Sequence, residues 1–304
     1  MLNEAIVKLV PFLPPKLVAR VARRYIAGET AAEGLALAEK LHRAGYSSTL
    51  DVLGEDTLTR TQGADAAADY LHLIEGMKAL ELSRNISLKL TALGLRLSKD
   101  LALENLTTVL TSAKENGVFV RIDMENASVT DITLEMHALA RERWARVGTV
   151  LQARLKRTVA DAAKLKDANI RLCKGAYKES SDISYTLQRD IRRSYMDTFR
   201  TLIEGGAYVG VATHDLRLIE RVRREVSAAG IPKSRLEFQS LLGVPIRRVL
   251  QSLKAEGYKV RLYVPFGASS LSYSIRRLEE NPGLALAIAK SILRRDRIDA
   301  GNLL

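Results

Sequence analysis

The sequence predicts a (β/α)₈ barrel. Eight short β-rich runs, at 48–53, 86–90, 118–124, 149–155, 168–175, 208–214, 235–240 and 259–265, are each followed by an amphipathic helical stretch. Strands that alternate with helices imply βαβ units and a parallel sheet, and eight such units close a barrel. The 304 residues suit that architecture, which takes about 250. An open doubly wound sheet is the alternative. No Gly-x-Gly-x-x-Gly turn follows any of the runs, so a dinucleotide site of the doubly wound kind has little support.

Ahead of the first run, residues 1–45 read as a helical arm, with the barrel at 46–304. Pro14-Pro15 breaks the opening segment. LVARVARRYIAGET then carries apolar residues at helical spacing and ends at Gly28. A second helix, AAEGLALAEKLHRAG, has Gly45 in the position of a C-cap.

Composition removes several function classes. A single cysteine, Cys173, rules out a disulfide framework and a cysteine metal site. Four dispersed histidines, His42, His72, His137 and His214, make a histidine metal cluster improbable on spacing, and none is expected. The hydrophobic fraction of 47% permits a sizeable core. The formal charge of +12 fits a solvated surface, an anionic membrane face or a nucleic acid. Aromatic residues are 5% and do not interleave with the basic ones, which argues against nucleic acid. No run of about 18 apolar residues appears, and the start lacks the plan of a secretory signal. The expected location is cytoplasmic, with peripheral contact at the inner membrane face as an option.

A barrel of this kind places its active site at the carboxyl ends of the strands. The residues there are Lys89 from the second run, Asp123 and Glu125 from the third, and Gln152 from the fourth. The fifth gives Arg171, Lys174 and Gly175, the sixth Thr213, His214 and Asp215, the seventh Gln239 and the eighth Tyr263. Ionisable groups in mainly apolar strands are costly unless paired or functional. Asp123 and Glu125 stand two apart, so on a strand they share a face. They read either as a carboxylate pair of glycosidase type or, for Asp123, as the counter-ion of Lys89 or Arg171. Lys89 fits a functional role or a place at the rim, His214 a site role or a structural one, and Cys173 a small apolar filler.

After the eighth run, Tyr273, Arg276 and Arg277 stand at i, i+3 and i+4, one face of a helix. Two adjacent arginines there make a bidentate clamp for a carboxylate, or a surface pair bridged to Glu279 and Glu280.

The strings SLKLTALG, RIDMENA, VLQA, RLCKGAY, VATHD, EFQSLLG and YVPFG, followed by RRL, each fall at a strand end. In this order they resemble the proline dehydrogenases of the single-domain bacterial type. The resemblance runs from STLDVLGE to RRLEENPG and takes in the ARRYIAGET segment. It implies FAD across the carboxyl ends of the barrel and oxidation of L-proline to Δ1-pyrroline-5-carboxylate, with electrons passed to a quinone. It implies that Arg276 and Arg277 hold the proline carboxylate and that Lys89 contacts substrate, supported by Asp123. It also implies that Tyr263, Tyr273 and Leu241 surround the proline ring. Arg171 is implied near flavin N5, with Met124, Gln152, Lys174, Gly175, Ala176, Thr213, His214 and Gln239 lining FAD. The residue types suit a reaction in which the cofactor carries the hard step and the protein orients and stabilises charge.

The chain departs from the family pattern at Arg154 and Lys178, where aromatics are usual, in the GASSLS loop, and at Phe266 in place of a frequent tyrosine. Those changes leave room for a proline relative such as hydroxyproline. The rival chemistry on the same barrel is a Schiff-base aldolase using Lys174 or Lys89. The rival from another class is a basic nucleic-acid-binding protein.

Overall fold

A computed structural model describes residues 25–267. Helix α1 (Ala31–Arg43) leads into a closed parallel barrel of eight strands in sequence order. The strands are β1 (Ser47–Val52), β2 (Asn85–Leu88), β3 (Phe119–Ile122), β4 (Val147–Gln152), β5 (Asn169–Cys173), β6 (Tyr208–Ala212), β7 (Leu236–Leu241) and β8 (Lys259–Phe266). Between them run α2 (Arg60–Gly76), α3 (Lys99–Glu115), α4 (Thr130–Arg143), α5 (Thr158–Lys164), α6 (Gln188–Glu204), α7 (Leu216–Ala228) and α8 (Arg247–Ala255). The barrel closes by parallel pairing of β1 with β8, from Ser47 opposite Arg261 to Val52 opposite Phe266. All eight expected runs are strands, shifted at their ends by a few residues. The arm's helix at α1 has its N-terminus fixed by a Thr30–Glu33 capping box. It packs Ala38 and Leu41 into the core against β1 and β8. The rest of the expected arm before residue 25 lies outside the described residues.

The helices form because each carries an apolar stripe at helical spacing. Along α6, Ile191, Tyr195, Phe199 and Leu202 are buried; along α7, Leu218, Ile219, Val222 and Val226 are. Thr59, Ser98 and Asp215 accept backbone N–H bonds at the starts of α2, α3 and α7. Burying a large apolar side chain such as Phe199 stabilises by about 1.5–3 kcal/mol.

Strand residues alternate between two environments. On β5, Ile170 and Leu172 join the hydrophobic core under the helices. Arg171, between them, points into the barrel, where it reaches side chains of β2, β3 and β7. The same alternation sets Val260 and Leu262 against Arg261, and Phe238 against Glu237 and Gln239. The barrel interior is therefore polar and charged, and the hydrophobic core is the layer between strands and helices.

Interior charge is matched with interior partners. Arg261 donates from Nε to Glu237 Oε1 at 2.6 Å, from Nη2 to Oε2 at 3.2 Å and from Nη1 to the Ser48 carbonyl at 2.6 Å. Arg121 donates to the Thr149 and Asn169 carbonyls at 2.8 and 2.6 Å and to Asn169 Oδ1 at 2.5 Å. Burial and the nearby charge of Arg171 push Arg121 down to about 9. For Glu237, burial works to raise its pKa, but the charge and hydrogen bonds of Arg261 overcome it and hold the carboxyl at about 2.

Removing Arg261 leaves Glu237 buried without its main counter-charge. Arg261→Met is expected to lower stability by about 3–5 kcal/mol in urea unfolding, which an unchanged midpoint would refute. The depressed pKa of Glu237 fixes the sign of a pH effect. Its contribution is complete above the ordinary carboxylate value of 4.5 and is lost as pH falls towards about 2. Urea midpoints measured from pH 6 downwards should fall more steeply in the parent than in Glu237→Gln.

Candidate active site

At the carboxyl ends of the strands the chain leaves the sheet and its polar side chains converge. Asp123 follows β3 directly and is held in register by its N–H to the Leu88 carbonyl, at 2.8 Å. Its Oδ1 accepts from Arg171 Nη1 at 2.5 Å and its Oδ2 from the Tyr263 hydroxyl at 3.0 Å. The guanidinium of Arg171 also lies 5.1 Å from the centre of the Tyr263 ring, a cation–π contact. Arg171 further donates from Nη1 to Ser87 Oγ at 3.2 Å and from Nε to Gln239 Oε1 at 2.8 Å. One arginine from β5 thus ties together β2, β3, β7 and β8. Its Nη2 makes no hydrogen bond to any described residue.

Lys89 does not pair with Asp123. Its Nζ lies 3.6 Å from Oδ2 of Asp51, a carboxylate at the end of β1 that is fully buried. Burial raises the Asp51 pKa and the Lys89 charge opposes that rise, with Asp123 adding to it. The Tyr70 hydroxyl, bonded to the Ser87 carbonyl at 2.7 Å, approaches Asp51 Oδ1 at 3.4 Å. Asp51 and Tyr70 were not among the residues expected from sequence. The available signal was Asp51's place two residues after Thr49, on the inward face of β1.

Glu125 departs from the shared-face expectation. The strand ends at Ile122, so Asp123 and Glu125 are loop residues and turn to different partners. Glu125 accepts from the Thr91 hydroxyl at 2.6 Å and the Thr91 N–H at 3.2 Å. Burial raises its pKa against those two bonds. It fastens the loop after β2. The neighbouring carbonyl of Glu125 accepts from Gln152 Nε2 at 2.8 Å.

Around this centre the remaining expected residues form a rim. Met124 and Thr213 are buried, His214 and Lys174 half-buried, and Ala176 exposed. Thr213 Oγ1 accepts from the Asp215 N–H at 3.1 Å. His214 Nε2 accepts from the Leu241 N–H at 3.1 Å, which joins β6 to β7 at the mouth. Lys174 donates to Gln188 at 2.5 Å and Asp215 at 3.1 Å, and Arg192 Nε also reaches Asp215 at 2.6 Å. Burial opposes ionisation of Asp215, but Arg192 and Lys174 outweigh it and lower its pKa. At Gly175, φ is +99°, and a Cβ would stand 3.1 Å from Arg154 Cβ and 3.3 Å from Gln152 Cβ. The absence of a side chain lets the backbone turn tightly across the mouth.

Two of the departures from the family pattern have defined surroundings. Phe266 is buried against Gly34 of α1, on the helix side of β8. Arg154 donates to the Tyr177 carbonyl at 3.1 Å. Tyr273, Arg276, Arg277 and residues 268–272 of the GASSLS loop lie outside the described residues.

Known proteins resemble the chain in sequence and in fold. A family model described as "Proline dehydrogenase" matches residues 35–288. The proline dehydrogenase of Deinococcus radiodurans is 38% identical over 282 residues, 90% of each chain. Proline dehydrogenase 1 of Bacillus subtilis (strain 168) is 36% identical over 276 residues, 90% of this chain and 91% of its own. Among solved structures, proline utilization A (PutA) from Bdellovibrio bacteriovorus inactivated by N-propargylglycine is similar with a TM-score of 0.79 at 26% identity. That match covers 90% of this chain and 34% of the larger one, so the chain spans about a third of that protein. With a family model over most of its length and relatives above one-third identity across nine-tenths of both chains, this chain belongs to the proline dehydrogenase family.

Proposed function

We propose that the chain oxidises L-proline to Δ1-pyrroline-5-carboxylate with FAD bound at the barrel mouth, and that the electrons pass to a quinone. The observation that carries this reading is the cluster of buried Arg171, Asp123 and Asp51 with half-buried Lys89 and Tyr263 at the mouth of a family barrel. Arg171 keeps its Nη2 donors unspent on any described residue, and such a donor fits the edge of a flavin. Met124, Gln152, Lys174, Gly175, Ala176, Thr213, His214 and Gln239 would line it. FAD, when bound, supplies the acceptor for the hydride that leaves proline C5.

The chain's own residues would do the rest. Arg276 and Arg277 would hold the substrate carboxylate in bidentate fashion, and Lys89 would add positive charge beside it. Tyr263, Tyr273 and Leu241 would confine the ring and exclude water. Asp123 would keep Arg171 and Tyr263 in place by accepting from both. Arg171 would stabilise negative charge that builds on its neighbour during reduction. Loss of the amine proton completes the imine. The Schiff-base alternative has less support, because both candidate lysines sit beside carboxylates, Lys174 at Asp215 and Lys89 at Asp51. A reactive lysine of that kind is readied by neighbouring cations or an apolar pocket. No described helix is long and apolar enough to cross a membrane. Contact with an anionic bilayer, the source of a lipid quinone, would rest on the net charge of +12.

Anaerobic proline should bleach the visible flavin band of the FAD-loaded protein. Retention of the band with both proline and hydroxyproline would defeat the proposal. Arg276→Ala and Arg277→Ala should each raise the half-saturating proline concentration by about tenfold or more at unchanged melting temperature. Normal proline saturation in both variants would remove the clamp. Asp123→Ala leaves Arg171 and Tyr263 without their shared acceptor. It should cut kcat/KM by about a hundredfold or more, since both donors lose the acceptor that orients them together, and steady-state kinetics close to the parent would refute that role.

A further inference from the structure

We propose that Glu237 is a positioning residue: acting through the side-chain amide of Gln239, it sets the direction in which Arg171 presents its guanidinium to the barrel mouth. The inference rests on the reading above, in which Arg171 serves the flavin. Glu237 itself touches neither the mouth nor Arg171 in any recorded hydrogen bond. It sits two residues before Gln239 on the same inward face of β7 and is buried.

The argument is one of donors and acceptors. Gln239 Nε2 donates to Glu237 Oε1 at 2.7 Å, and Gln239 Oε1 accepts from Arg171 Nε at 2.8 Å. An arginine Nε–H can only donate, and an ionised carboxylate can only accept. Glu237 stays ionised because Arg261 grips both of its oxygens, at 2.6 and 3.2 Å. The Gln239 amide between them then has one orientation that satisfies both neighbours. Turned over, it would set N–H against N–H at Arg171 and carbonyl against carboxylate at Glu237. Arg171 Nη1 is separately held by Asp123 and Ser87. The Gln239 contact is thus the anchor that stops the guanidinium plane from pivoting about Nη1.

A second feature supports the device. Gly210 on β6 lies in register with Glu237. A Cβ on Gly210 would overlap the Gln239 amide, with Nε2 and Cδ the nearest atoms. The space the amide occupies is therefore the space a side chain at residue 210 would take. Substitution there moves an uncharged side-chain tip and leaves every ion pair in place.

The test uses the full chain labelled with ¹⁵N-arginine, whose Arg171 Nε–H signal is assigned by its loss in Arg171→Lys. In Glu237→Gln the amide of Gln239 is free to turn, and exchange of that N–H with solvent should speed up by about tenfold or more. Flavin reduction by proline in the FAD-loaded variant should slow by a similar factor. In Glu237→Gln/Gln239→Glu the carboxylate faces Arg171 directly, and the Nε–H exchange should return towards the parent while thermal stability stays low. Gly210→Ala should speed exchange with little change in melting temperature, and it decides the matter if the Glu237 variants fail to fold. Unchanged Arg171 Nε–H exchange in Gly210→Ala, or in a folded Glu237→Gln that is merely less stable, would overturn the proposal. Failure of the double variant to recover the signal would also overturn it. If proline does not bleach the parent flavin, the functional reading falls, and the exchange data still decide whether Glu237 positions Arg171.

Discussion

Arg171 enters the barrel from β5 and bonds across it to Asp123, Ser87 and Gln239, carried by loops or strands on three other sides. Such an ion is tolerable in the interior only if an opposite charge and well-placed acceptors meet it. That demand propagates. Asp123 must be held at the end of β3, Gln239 must be turned the right way, and Glu237 must stay ionised beneath it. Arg261 supplies the charge that keeps Glu237 so. The mouth and the floor of the barrel are thus one electrostatic structure. The apolar layer outside the strands supplies the cohesion that allows it to exist.

Much of this was legible in the amino-acid order. Many outward residues of the strands, such as Ile170 and Leu172, are β-branched or leucine and made the runs visible. The strings at the strand ends carried Lys89, Asp123, Arg171, Gln239 and Tyr263 to one place, and the structure brings the last four together through direct contacts. Pairing was harder to read. Asp123 had two cationic candidates, and the choice of Arg171 over Lys89 depends on the partner that β1 supplies, Asp51. STLDVL puts Asp51 on the inward face of β1 but does not say which cation it meets, because the contact spans two strands.

Glu125 shows the other limit. Its spacing from Asp123 suggested a common face, which holds only while the backbone stays extended. The strand stops at Ile122, and a short 3₁₀ turn, Ala127–Val129, soon follows. Glu125 stands three residues beyond the strand end and turns to Thr91 instead. Strand ends are where alternation fails as a guide, and they are also where this fold puts its chemistry.

The alternation of apolar and charged positions has a bearing on how the sheet is assembled. A slip of β5 by one residue would turn Arg171 towards the helices and push Ile170 or Leu172 among the interior charges. Each such error would strand an ion in apolar surroundings and leave its partner across the barrel alone. In an ordinary barrel filled with aliphatic side chains a slipped strand meets a surface much like the correct one. Here the interior arginines and carboxylates act as a proofreading code for strand register during folding.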